Sequence, residues 1–508
     1  MTTTDGRAAA SFAAQTAAYL ALVVASCWPW RALVTNEMDT VAAARQWADP
    51  GWLPADWYLQ LDIPYRTPFN AIVGPVAAHW GLPAGAAFGR MLAYLAVAAA
   101  LLALVRALRI DPWLAFAPLA LYLGNQSLGA GEWVVGAAEA KAFAYPAAIG
   151  AVAAVVARRY RVAAALAGTA LSFHVLVGAM HLVALAACVV CLWVRDRGER
   201  PSVRDLWPFA LTGAWGLWTI TRTVLDELAR EGPDPGWDLY TEFRVPHHVL
   251  PLSWSEAPLV GWPLWLAGAV VVGLALLWKG SHRAATVAVV VLVATSMHLI
   301  GLALLSQGQI PLLRYYWFRL ADTWVLLAAA LAVAGLLTAG VHRLPRPTVT
   351  AAAIITGLLT AGLVLPTTVE RREQALVVDR GAVGSEHGRL LRWVSDMLPR
   401  EAVVVVDPDD QGWYLLADRA AWALYKSAPQ SASDVVTWSE RLALATGVEI
   451  TGSTSRGALS RGQQALGGTQ LAALRQAGAT HYLARRPDTP PGATELHRIG
   501  SWAVFSLG

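Results

Sequence analysis

The chain alternates between apolar runs of about twenty residues and short stretches that carry most of its charge. A helix needs about 20 apolar residues to cross the hydrocarbon core, and only helices or closed barrels satisfy their backbone groups there. This pattern predicts a polytopic α-helical membrane protein. Only 15% of the 508 residues are charged and 56% are hydrophobic, which excludes a disordered chain and argues against a soluble globular one. The expected spans are 12–30, 86–105, 112–124, 142–157, 162–176, 177–194, 206–222, 261–278, 284–304, 318–340 and 348–366, eleven in all. Cys27, Cys188 and Cys191 all fall inside these runs, so no disulfide framework is expected.

Lys and Arg divide unevenly between the two sets of loops. Segments 105–111, 157–161, 194–205, 279–283 and 341–347 hold 13 of them in 36 residues. Segments 31–85, 125–141, 222–260 and 305–317 hold 8 in 124 residues. The dense set belongs in the cytoplasm. The N-terminus is then cytoplasmic, and the long loops and C-terminal tail lie outside. Basic residues are dispersed, so no nucleic-acid partner is expected. The long loops are rich in Trp, Pro, Asp, Glu and His, and function concentrates on such loops over a rigid scaffold.

After 366 the apolar runs stop, which divides the chain into a membrane module, 1–366, and an extracytoplasmic domain, 367–508. The domain's pattern is α/β. Residues 385–398 place Leu390, Leu391, Val394 and Leu398 on one helical face. Val403–Val406 is a β-branched run entering the turn Asp407-Pro408-Asp409-Asp410. Leu471–Ala477 reads as a helix, and 481–483 and 502–505 as closing strands.

Candidate chemistry clusters in the outer loops. The first carries Glu37-Met38-Asp39 just past the first span, then Trp57, Asp62 and Arg66. Carboxylates at a membrane interface are costly to desolvate and are functional candidates by default. One could act as a general base on a hydroxyl. Equally, Thr35 or Asn36 could cap a helix with Asp39 in its first turn. In the second loop, Glu132 and Glu139 are seven apart and share a face if the segment is helical. Lys141 could hold a phosphate as a point charge, or pair internally and only order the loop. His174 lies between two apolar segments, as a ligand or as a structural residue. Arg314 and Arg319 could clamp a phosphate or anchor the interface, and Arg319 and Asp322 can pair at i, i+3. Walker, Rossmann, G-x-S-x-G and H-E-x-x-H motifs are absent, which argues against ATP-driven transport, serine hydrolysis and zinc proteolysis.

Taken together, the plan resembles the GT-C type of integral-membrane glycosyltransferases. The features that carry the resemblance are Glu37-Met38-Asp39, the loop 31–85, the tail segments 390–394 and 399–404, and the ends 480–483 and 502–505. Segments 139–145 and 172–178 are similar to those of an uncharacterised bacterial multipass group. This chain departs from many members in lacking an adjacent acidic pair.

The resemblance implies a GT-C-like fold in a bacterial plasma membrane. It implies an inverting glycosyltransferase that moves a sugar from a polyprenyl-phosphate donor to a hydroxyl of a glycan or lipid acceptor. Asp39 or Glu37 would be the base. Lys141 with Arg314 or Arg319 would steady the leaving phosphate. Glu132, Glu139, His174, Asp322, Arg66 and the sugar-stacking Trp57 complete the substrate-binding set. Some members use a divalent cation, which no residue set in this sequence demands. The competing class is a transporter, flippase or binding protein for a lipid-linked substrate. No inverted repeat supports it.

Overall fold

The computed structural model describes residues 3–34, 36–126, 130–195, 201–229, 235–251, 266, 268–270, 272–273, 281–341 and 346–508. The N-terminal two-thirds is helical. In chain order the helices are α1 (Thr3–Cys27), α2 (Glu37–Ala48), α3 (Thr67–Trp80), α4 (Leu82–Ala107), α5 (Phe116–Gly124), α6 (Ala140–Val156), α7 (Tyr160–Phe173), α8 (Val175–Arg195), α9 (Trp207–Thr212) and α10 (Ala214–Leu228). Short helices Pro235–Leu239 and Pro246–Val249 follow, then His282–Ser306, Arg319–Val341 and Arg346–Gly384.

Among the described residues, five helices are long and apolar enough to cross a membrane: α4, α8, His282–Ser306, Arg319–Val341 and the segment Thr350–Gly384. The apolar parts of α1 (Ser11–Cys27) and α6 are shorter. The eleven expected spans are therefore not all full-length. α5 has 9 residues, about 13 Å at 1.5 Å per residue, well short of the hydrocarbon thickness. The expected span at 206–222 breaks at Gly213 into α9 and α10. The expected span 261–278 lies largely outside the described residues. The last helix does not stop at 366; it runs through Pro366 to Gly384, so no break marks the expected start of the domain.

Small residues let the central helices approach closely, as membrane packing favours. A Cβ on Gly178 in α8 would come within 2.3 Å of Leu171 Cα, and one on Gly216 in α10 within 2.6 Å of the Leu171 carbonyl. α7 thus reverses into α8 at His174 with α10 packed against the turn. α2 and α3 form a hairpin outside the bundle. Gly81, at φ 87, supplies the left-handed corner between α3 and α4.

The tail folds around a five-stranded sheet of order β2-β1-β3-β5-β4, where β1 is Val403–Val405, β2 Ala420–Ala421, β3 His481–Arg485, β4 Thr494–Ile499 and β5 Trp502–Ser506. β1 pairs in parallel with β2 and β3; β5 is antiparallel to β3 and β4. The helix Glu386–Met397 is capped by Ser385, whose hydroxyl accepts from Gly388 N. It lays Leu390, Leu391 and Val394 into a core shared with Leu33, Val41, Trp52 and Leu53 of the first long loop.

Polar contacts fasten the same joint. Asp56 is fully buried and accepts hydrogen bonds from Leu59 N (3.0 Å), Tyr414 Oη (3.0 Å) and Ala421 N (2.9 Å). Burial outweighs these donors and pushes its carboxyl up to about 6. The third long loop docks too, with Tyr425 Oη donating to the Phe243 carbonyl at 2.9 Å. The domain therefore sits on the face of the bundle that bears the long loops.

Candidate active site

Where the domain, the first and third loops and the helix mouths meet, they enclose a cavity of about 360 Å³, within the usual size range of ligand sites. α2 presents Asn36, Asp39 and Thr40. The turn before α3 adds Tyr65 and Arg66, and the second loop adds Glu139 and Lys141. His174 enters from the α7–α8 turn and Glu227 from α10. Tyr240, Arg244, His247 and His248 come from the third loop. Arg314, Tyr316 and Arg319 flank the tenth expected span, and Lys426 and Gln430 come from the domain.

The first loop separates its two carboxylates. Residues 37–48 are helical, so positions two apart diverge by about 160° on the helical wheel. Asp39 faces the cavity, ion-paired to Arg66 Nη2 at 3.2 Å, with its Oδ1 buried and without a hydrogen-bond partner. Arg66 is in turn held by the hydroxyls of Tyr58 (2.8 Å) and Tyr65 (3.1 Å). Glu37 faces away. It is fully buried and gripped by both arms of Arg90, with Nε 2.6 Å from Oε1, and it accepts from Val34 N (2.9 Å) and Ala138 N (2.6 Å). The candidate role of Glu37 as a base is corrected accordingly: every lone pair it offers is engaged in fixing loops to α4. Asn36 precedes α2 but makes no side-chain cap.

In the second loop the expected helix carrying Glu132 and Glu139 is absent. Residues 131–139 run through bends, starting from Gly131 at φ 69, and α6 begins at Ala140. The irregular path still brings both carboxylates to Lys141, at 3.2 Å for Glu132 and 3.6 Å for Glu139. Glu132 also meets Arg319 Nε at 2.9 Å and accepts from Tyr145 Oη at 2.8 Å. It lies behind the cavity wall rather than on it. Burial works against its charge, but Arg319 and Lys141 prevail and hold the carboxyl below its ordinary range. Asp322 likewise stands behind the wall, receiving Glu132 N at 2.8 Å; Arg319 and Asp322 thus both engage Glu132 instead of forming the i, i+3 pair.

Aromatic rings back the cations. Arg319 lies 4.0 Å from the Tyr316 ring, Arg314 4.2 Å from Trp237, and Lys141 4.2 Å from Trp133. Arg314 also pairs with Glu227 at 3.0 Å. Tyr316 adopts φ 56, a left-handed conformation that costs energy outside glycine and clusters at functional sites. Its hydroxyl lies 3.1 Å from that of Tyr240. His174 faces the cavity and packs edge-on against Tyr65 at 5.7 Å. Trp57 is not in the cavity; its ring packs on Arg441 at 5.2 Å.

Each carboxylate facing the cavity has a basic partner. Asp39 is matched by Arg66, Glu139 by Lys141 and Glu227 by Arg314. Among the described residues no three His, Cys, Asp or Glu side chains converge to hold a metal.

Below the cavity an apolar groove of about 750 Å³ runs between α4, α6 and α7. Alanine is the commonest residue of its wall, with Gly150 and Leu166 midway and Arg106 and Arg159 at the far end. Its near end is Phe143 stacked on Phe173 at 5.2 Å, two residues after Lys141 and one before His174.

Residues 385–445 match a family described as a domain of unknown function, DUF6798. No curated protein matches the sequence. Solved structures similar to this chain include these two. The Archaeoglobus fulgidus oligosaccharyltransferase in its apo form is 9% identical, over 93% of this chain and 69% of that one, with a TM-score of 0.48. ArnT from Cupriavidus metallidurans in its apo state is 14% identical, over 99% of this chain and 98% of that one, with a TM-score of 0.39. At these scores the likeness is one of general layout, and the chemistry rests on the cavity itself.

Proposed function

We propose that this protein is an inverting glycosyltransferase of the bacterial plasma membrane. It would move a sugar from a polyprenyl-phosphate donor to an acceptor hydroxyl at the extracytoplasmic face. The observation that carries this reading is that Asp39, whose Oδ1 is buried without a hydrogen-bond partner, faces the same cleft as Lys141, Arg314 and Arg319.

Asp39 takes the proton of the acceptor hydroxyl. That oxygen attacks the anomeric carbon from the face opposite the phosphate, so the C–O bond to phosphate breaks with inversion. The bonding pair leaves on the polyprenyl phosphate, where Lys141, Arg319 and Arg314 stabilise the growing charge. Arg66 fixes the direction of the Asp39 carboxylate. The prenyl chain lies in the alanine-lined groove, reached past Phe143 and Phe173. His174 and the ring of Tyr65 line the path between groove and cavity.

The test is transfer from a polyprenyl-phosphate sugar by purified protein in lipid. Asp39→Asn keeps the size and removes the basic oxygen, and losing a general base costs ~10²–10⁴ in rate. The expected result is that loss in protein that still folds, with a lowered unfolding midpoint because Arg66 loses its buried counter-charge. Full activity in Asp39→Asn overturns the assignment.

A further inference from the structure

Four of the six cations facing the cavity are already matched by acids. Arg66 pairs with Asp39, Lys141 with Glu132 and Glu139, Arg314 with Glu227, and Arg319 with Glu132. Arg244 and Lys426 differ. Among the described residues neither has a carboxylate within ion-pair distance. Arg244 Nη2 reaches only the Lys426 carbonyl, at 3.3 Å, its guanidinium lies 5.3 Å from the Tyr425 ring, and its Nε is buried without a hydrogen-bond partner. The charged groups around Lys426 are Arg244, Arg456, Asp39 and Asp409. Of the two acids, Asp39 is taken by Arg66 and Asp409 by Arg456 at 3.3 Å.

We propose that Arg244 and Lys426 form a second anion-binding subsite of the cavity, which receives a phosphate or carboxylate carried by the acceptor. The proposal rests on the glycosyl-transfer reading for the word acceptor alone; the anion subsite itself does not require it. Removing charge from water is costly unless a counter-charge meets it. Among the described residues no carboxylate comes within ion-pair distance, and the acids nearest Lys426, Asp39 and Asp409, are paired to Arg66 and Arg456, so a ligand supplies the missing counter-charge. A planar guanidinium beside a mobile ammonium suits a multi-oxygen anion: one offers a fork, the other a point charge.

Position assigns the anion to the acceptor. A second, small pocket of about 20 Å³ is lined by Met38 and Asp39 together with Lys426, Ser427 and Asp409, and shares Asp39 and Lys426 with the main cavity. A base must touch the acceptor hydroxyl, so an anion held beside the base belongs to the acceptor. The donor phosphate has its own cations in Lys141, Arg319 and Arg314. Burial, with Arg244 and Arg456 adding to it, draws the Lys426 ammonium down to about 8. The neighbouring His247 is drawn down to about 4, first by burial and then by the same cations, and so stays neutral at physiological pH.

The experiment is calorimetric binding of inorganic phosphate to the full-length protein in phosphatidylcholine nanodiscs. Two sites are expected in the unaltered protein. Arg244→Gln with Lys426→Gln removes one of them or weakens it by at least roughly tenfold, while Lys141→Gln affects only the other. The Arg244–Lys426 site also weakens as pH rises above about 8, and Lys426→Arg restores it there. Nanodiscs containing phosphatidylglycerol separate the sources: competition at this site identifies a lipid headgroup, and unchanged phosphate binding identifies a soluble acceptor anion. Unchanged stoichiometry and affinity in the double variant overturn the proposal. Asp39→Asn keeps both phosphate sites, so a failure of the catalytic reading and a failure of this one are told apart.

Discussion

The two walls of the cavity treat charge in opposite ways. On the bundle side, Glu132 sits between Lys141 and Arg319 with the Tyr145 hydroxyl closing the network. On the domain side, Arg244 and Lys426 face the same space with no acid of their own among the described residues. A compensated wall is rigid before any ligand arrives, as electrostatic stabilisation of a leaving group requires. An uncompensated wall holds a field that only a ligand can neutralise. The contrast matches the proposed division between a part of the site that serves the transfer and a part that serves recognition.

The largest effect that sharpens the contrast is on stability. Glu132→Gln takes from Arg319 its buried carboxylate and leaves Lys141 with Glu139 alone, at 3.6 Å. Breaking a buried ion pair from one side costs about 3–5 kcal/mol. We expect a marked fall in the unfolding midpoint in detergent, alongside lost transfer. A midpoint unchanged within error would mean that the bundle wall is not held by this network, and the two walls would no longer differ.

How much of this was legible beforehand depended on how local each feature is. Asp39, Lys141, Arg314 and Arg319 stood out because charge at the mouth of an apolar run is conspicuous in the sequence alone, and all four reach the cavity. The spacing of Glu37 and Asp39 left two outcomes, one carboxylate in the cleft if the segment is helical and both if it is extended, and the helix over 37–48 decides for one. Arg90, which holds Glu37, is not among the candidate residues, although a charge inside the run 86–105 has to find an acid. The seven-residue spacing of Glu132 and Glu139 misled, because bends rather than a helix bring them together. Arg244 and Lys426 had no local signal. They are 182 residues apart and meet only because the domain docks on the third loop. The helix end at Gly213 is likewise set by close packing, against Gly168 of α7, that no apolar count records.

The joint that creates the domain wall should respond to pH. The Asp56 carboxyl is lifted from 3.8 to about 6 by burial. Between those values the folded protein binds more protons at this position than the unfolded chain does. Stability from this group is therefore greatest below about 4 and is lost as pH rises through 6. The shift of about two units corresponds to at most about 3 kcal/mol. Asp56→Asn should flatten that slope in unfolding midpoints measured from pH 4.5 to 7. A slope that survives the substitution would place the pH sensitivity of the joint elsewhere.

The smallest effect is the most discriminating, because the two walls predict opposite signs. Lys426 has a folded value near 8 against 10.5 unfolded, so the unfolded chain binds more protons between the two. Stability therefore rises with pH across that window, and at neutral pH the ammonium is a burden on the fold. It is partly exposed, and solvent screening reduces the burden to roughly 1 kcal/mol or less. Lys426→Gln should then leave the unfolding midpoint unchanged or slightly raised at pH 7. The advantage should fade as pH climbs toward 10, where the native lysine also sheds its charge. Saturating phosphate should reverse the order at neutral pH, since a bound anion stabilises only the protein that retains the subsite. A clear loss of stability in Lys426→Gln without phosphate would show that the lysine already has a counter-charge within the protein, and the domain wall would then be as compensated as the bundle wall it faces.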